Sequence, residues 1–176
     1  KTDGTSAATT LVKDVWPGPE PTLLTHNKFQ FVTGVLGNLL IFAAPDATHG
    51  FELWRSDGTA GGTYRLKDIT PGPGHSRFSR NLTTNGGHLL FTADDGVHGP
   101  ELWRTDGTSA GTTLVKDIRP GNLGSNPGEM AALGSGLVVF GADDGVNGAE
   151  LWRTDGTAGG TTLVTSIRSG PTGSLL

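Results

Sequence analysis

The chain has 176 residues, among them 29 glycines, 10 prolines and no cysteine, with a formal net charge of −4. Glycine stands at more than twice its usual share of roughly 7%, which favours many short strands joined by tight turns over helices. The missing cysteines exclude disulfides, thiolate chemistry and Cys-based zinc sites, the absence of Lys/Arg clusters argues against nucleic acid, and the longest apolar run, near Leu39 to Ala44, is far too short for a membrane span.

In chain order, Asp3-Gly4-Thr5 opens a partial unit that continues into the strand-like run Leu11 to Val15, so Lys1 falls inside a repeat and not in a leader sequence. The chain therefore reads as soluble and trimmed at its start. A connector holding Pro17, Pro19 and Pro21 follows. Asp-Gly-Thr then recurs at Asp57, Asp106 and Asp155, at intervals of 54, 49 and 49 residues, and the longer first interval falls in that proline-rich connector, where solvated backbone tolerates insertion. Ahead of each later copy stands Glu-Leu-Trp-Arg, at Glu52 to Arg55, Glu101 to Arg104 and Glu150 to Arg153. After each comes another short run, Arg65 to Ile69, Leu114 to Ile118 and Leu163 to Ile167.

The middle unit predicts four strands, at about Asn81 to Asn85, His88 to Asp94, Glu101 to Asp106 and Thr112 to Ile118. Gly86-Gly87, Asp95 to Gly99 and Gly107 to Gly111 separate them, turn signals that supply the positive φ of tight hairpins. A longer connector from Arg119 to Pro127 leads on. The expected fold is all-β, a β-propeller-like array of four-stranded antiparallel blades of about 49 residues, with a β-solenoid as the alternative. The units run over 1–29 (two strands plus connector), 30–79, 80–128 and 129–176. Burial of both faces of each sheet explains why Leu102 and Trp103 are adjacent and both apolar. Three and a half blades do not close a ring, so the array belongs to a longer chain or is completed by other copies.

The stretch from Ala93 to Ile118, with Glu101-Leu102-Trp103-Arg104-Thr105-Asp106-Gly107-Thr108 at its centre, resembles the ELWxxDGT repeat family of bacterial, mostly large and exported, proteins. The resemblance covers nearly the whole chain. It implies an extracellular or cell-surface repeat protein and implies no reaction. Pro45-Asp46-Ala47-Thr48 and Thr165-Ser166 depart from the pattern, which would weaken any role of the acids that they replace.

Each shared residue admits two readings. Trp54, Trp103 and Trp152 fill the space between sheets, or stack on sugar rings with Glu101 and Glu150 beside them as a ligand site in each blade. Asp3, Asp57, Asp106 and Asp155 accept backbone N–H bonds within their own turns, because one catalytic carboxylate copied into every blade would be odd. Asp94-Asp95 and Asp143-Asp144 could collect oxygens for calcium, which needs about six to eight, or could cap turns and pair with Arg104 and Arg153. Calcium is the one cofactor that the composition leaves open. The five histidines form no zinc or triad pattern, no glycine-rich loop joins a strand to a helix, and Asn81-Leu82-Thr83 is a glycosylation sequon of little weight in a bacterial chain. Recognition is expected in the variable connectors Trp16 to Thr25, His75 to Arg80 and Asn122 to Glu129.

The reading is a non-enzymatic surface scaffold, with another copy of itself, a glycan or a surface protein as partner. A carbohydrate-binding lectin is the alternative, and a hydrolase with its catalytic residues outside this stretch is a weaker third.

Overall fold

The structure, a computed structural model, describes residues 1–16, 32–46, 48–78, 82–167, 170 and 173. Among these, 43% are in strands and no helix is formed. Twelve strands make three separate four-stranded sheets. The first contains β1 (Thr33–Leu36), β2 (Leu39–Asp46), β3 (Gly50–Ser56) and β4 (Tyr64–Lys67), and the second β5 (Thr83–Asn85), β6 (His88–Asp94), β7 (Pro100–Thr105) and β8 (Thr113–Lys116). The third contains β9 (Met130–Leu133), β10 (Leu137–Asp143), β11 (Ala149–Thr154) and β12 (Thr162–Thr165).

Each sheet is an antiparallel meander in chain order, and none closes into a barrel. Every strand pairing stays within one repeat. That excludes a β-solenoid for the described residues, since solenoid coils pair with their neighbours.

The strands differ from expectation at their ends. The fourth strand of the middle repeat stops at Lys116, short of Ile118, because the next backbone N–H groups turn toward a buried carboxylate. A register shift recurs at Leu53/Trp54, Leu102/Trp103 and Leu151/Trp152, the bulge that twists each third strand against its fourth. Residues 1–16 contain no strand, although two were expected in the partial repeat. In the other copies the equivalent segment pairs with the Glu-Leu-Trp-Arg strand of its own repeat, whereas Leu11 to Val15 lies against the first sheet.

The core lies between the sheets. One cluster joins Ile41, Leu53, Leu66 and Ile69 of the first sheet and its connector to Leu89, Phe91, Ala93 and Trp103 of the second. The next repeats it one step on, joining Leu90, Leu102, Val115 and Ile118 to Val138, Phe140, Ala142 and Trp152. Strand alternation thus sends Leu102 to one neighbour and Trp103 to the other. The two residues are 0% and 6% exposed. The first strands approach one another, β1 beside β5 and β5 beside β9, while the fourth strands make no comparable approach.

Candidate functional site

The polar residues that recur among the repeats form four devices, all built on backbone. The first is the Asp-Gly-Thr turn. Asp106 Oδ1 accepts from Thr108 N (2.8 Å) and Thr108 Oγ1 (2.7 Å), and the hydroxyl of Thr112 donates back to Thr108 O (2.7 Å) while meeting Thr105 Oγ1 at 2.7 Å. Asp57 and Asp155 repeat the arrangement, and so does Asp3, outside any strand. The threonine hydroxyl bond pulls Asp57, Asp106 and Asp155 below the usual carboxylate range; for Asp3 the Thr5 N–H bond comes first.

The second device closes the hairpin between second and third strands. Asp95 Oδ1 accepts from Val97 N and His98 N, both at 2.9 Å, and its other oxygen meets His98 Nδ1 at 2.7 Å. Asp144 does the same with Val146, Asn147 and the Asn147 amide. Asp46, in the segment that departs from the repeat, takes this same role with Thr48 and His49, so the departure keeps the acid that the turn uses. Partial burial pushes Asp46 up, but these donors outweigh it and hold the group down at about 2. Asp94 and Asp143 each accept from the glycine N–H two residues on, and Asp143 also pairs with Arg119 at 2.5 Å.

Third comes a buried carboxylate. Glu52, Glu101 and Glu150 are 0% exposed. Glu101 accepts from Arg119 N (3.0 Å), Ser125 N (2.8 Å) and Ser125 Oγ (2.5 Å), which fastens the connector after β8 to the start of β7. Glu52 holds Ile69 N, Thr70 N and Ser76 Oγ in the same manner, and Glu150 accepts from Ile167 N. Burial outweighs these donors, pushing Glu52 up to about 6 and Glu101 in the same direction.

The fourth device bridges adjacent sheets. Arg55 Nη1 donates to Gly107 O and Arg104 Nη1 to Gly156 O, at 3.0 and 2.9 Å. Lys67 Nζ donates to Thr112 O and Lys116 Nζ to Thr161 O, at 2.7 and 2.8 Å, and Lys13 Nζ reaches Thr63 O at 2.6 Å. Arg104 therefore spends its hydrogen bond on a neighbouring turn and not on the paired aspartates, and Arg153 Nε donates to Thr162 Oγ1.

The tryptophans carry no open face. Trp54, Trp103 and Trp152 are 7%, 6% and 7% exposed, and the last two belong to the intersheet clusters, so the indoles offer no surface for stacking on sugar. Glu101 and Glu150 are equally out of reach of a ligand. No group of three or more His, Asp or Glu among the described residues comes together where it could hold a metal, because the adjacent aspartates are each taken up by a turn. No helix among the described residues is long and apolar enough to cross a membrane.

No family model, no curated protein and no solved structure matches this chain.

Of the connectors expected to vary, residues 17–25 and 79–80 lie outside the described residues. The described parts carry a shared structural residue, Ser76 and its equivalent Ser125, which the sequence reading missed. Its signal was available, since serine recurs 49 residues apart at 76, 125 and 174. A cleft of about 380 Å³ lies between the segment Leu11 to Val15 and the first sheet, against Leu40, Phe42 and Ala44. Its wall is mostly apolar, with Lys13, Asp14, Ser56 and Thr63 as the polar residues that line it.

Proposed function

We propose that the chain is a non-enzymatic scaffold of the ELWxxDGT repeat kind, displayed on or exported from a bacterial cell, with its sheets set as blades of a propeller-like array. What carries this reading is where the charged groups go. Glu, Asp and Arg recur in all three four-stranded repeats and Lys in two of them, the pattern that would suggest a multiplied active site, yet all but Arg153, which bonds Thr162 Oγ1, form hydrogen bonds with the chain's own backbone. A carboxylate saturated by its own turn is no general base, and a buried one meets no substrate. The wedge between sheets, close at the first strands and wider at the fourth, supports the blade arrangement. The exported location rests on the resemblance of Glu101 to Thr108 and its copies to that family.

The test is a panel of chromogenic glycoside, ester, peptide and phosphoester substrates together with a glycan array. Neither is expected to give a signal above that of heat-denatured protein. Turnover that disappears on changing one residue would overturn the scaffold reading, and saccharide binding that survives in a folded Trp103→Ala variant would replace it with a lectin whose site lies elsewhere.

A further inference from the structure

The two junctions between sheets differ at a position beside the arginine clasp. At the first, Arg55 of β3 reaches the second sheet and donates to Gly107 O at 3.0 Å. Tyr64, its cross-strand partner on β4, lays its ring against the guanidinium, with Arg55 Cζ 5.1 Å from the ring centre. Arg55 Nε is buried there with no hydrogen-bond partner. A weakly hydrated guanidinium stacks well on an aromatic face, so the ring closes the junction over the arginine while its own outer side stays 42% exposed.

Arg104 repeats the reach at the second junction, donating to Gly156 O at 2.9 Å, and its cross-strand partner on β8 is Thr113. Threonine has no ring to lay over the guanidinium. A cleft of about 230 Å³ opens at that place, between Thr113 to Val115 of β8 and the turn Gly156 to Ala158 of the third sheet, with Arg104 in its lining. An apolar cavity of about 150 Å³ is enough for benzene, so this space takes one ring with a small substituent. No ion pair among the described residues engages Arg104, and its fork keeps N–H donors beyond the one spent on Gly156.

We propose that this cleft binds a small aromatic carboxylate, whose ring stacks on Arg104 as Tyr64 stacks on Arg55. The first junction supplies the shape of the guest, because the chain's own tyrosine ring fills the equivalent place. The unpaired guanidinium supplies the charge: a carboxylate at the open side of the cleft meets the cation while keeping part of its hydration. Binding here goes beyond the scaffold reading, which stands whether or not the cleft is filled.

Titration with sodium benzoate, followed by the backbone amide resonances of the isotope-labelled chain, tests this. Shifts that saturate with a dissociation constant in roughly the millimolar range are expected at Thr113, Gly156 and Thr157. Cyclohexanecarboxylate, equal in charge and without an aromatic face, should bind at least about threefold more weakly. Thr113→Tyr supplies the missing ring and should abolish the shifts, with circular dichroism to check that the variant is folded. Tyr64→Thr works in the other direction and should open a second site, seen as new shifts at Gly107 and Thr108. It decides the matter alone if Thr113→Tyr unfolds. An unaltered chain with no saturable shift, equal binding of the two carboxylates, shifts that persist in folded Thr113→Tyr, or no second site in Tyr64→Thr would each overturn the proposal.

Discussion

Glu101 and its equivalents place ionisable groups at the centre of the structure, and their burial has a definite pH signature. Glu52 is raised to about 6 and Glu101 is raised from an ordinary 4.5, so across this window the folded chain holds more protons than the unfolded one. Stability contributed by these groups is complete below 4.5 and falls as pH rises through the folded values. His98, raised by its bond to Asp95, acts in the same direction above its ordinary 6.5. The turn aspartates act oppositely: depressed from 3.8, they contribute stability above that value and lose it as pH falls, Asp46 only near 2. Thermal stability followed by calorimetry is therefore expected to peak near pH 4 to 4.5. Glu101→Gln should flatten the decline above pH 4.5 while lowering stability at the peak, since an amide nitrogen in place of one carboxylate oxygen cannot accept the bond that Ser125 Oγ donates. A decline as steep in the variant as in the parent would mean that Glu101 does not titrate in this range.

At the level of the strand and its connector, close backbone approach decides which residues are tolerated. Gly99 has φ of +70°, and a Cβ there would stand 2.6 Å from both Asn122 O and Gly124 N, where the connector crosses the β6–β7 hairpin. Gly99→Ala should cost more than the about 1 kcal/mol of a positive-φ position alone, because the connector that Glu101 holds must also move. A melting temperature within a degree of the parent would show that the crossing is looser than described. Lys116 offers a second test: its ammonium reaches Thr161 O and lies 5.9 Å from the Trp152 ring centre, so Lys116→Met should lose about 1–3 kcal/mol, a charged hydrogen bond removed across a half-buried junction. The loss is read from denaturant unfolding.

Across the molecule, each sheet buries its faces only against its neighbours, which makes stability a chain of nearest-neighbour junctions. The second sheet belongs to both. Trp103→Ala is expected to cost about 3–5 kcal/mol, as truncation of a buried aromatic does, and to lower the unfolding midpoint of the other two sheets with it. Fluorescence and far-ultraviolet circular dichroism would check this, with separate transitions as the opposing result.

The strand plan was legible because turn chemistry is local: Asn85-Gly86-Gly87 and Asp95 to Gly99 mark hairpins wherever they occur, and a 49-residue period copies each mark into register. By itself the sequence determined an all-β chain of four-stranded units. It did not determine what the shared charges do, since a carboxylate three residues from an arginine looks the same whether it meets a ligand, a metal or a connector. Only the tertiary structure decided that Glu101 turns into the sheet to hold Ser125, that Arg104 and Lys116 reach the next repeat, and that Trp103 is covered. Those partners are 24 to 52 residues away in the chain, and the packing of one sheet on the next is what brings them together.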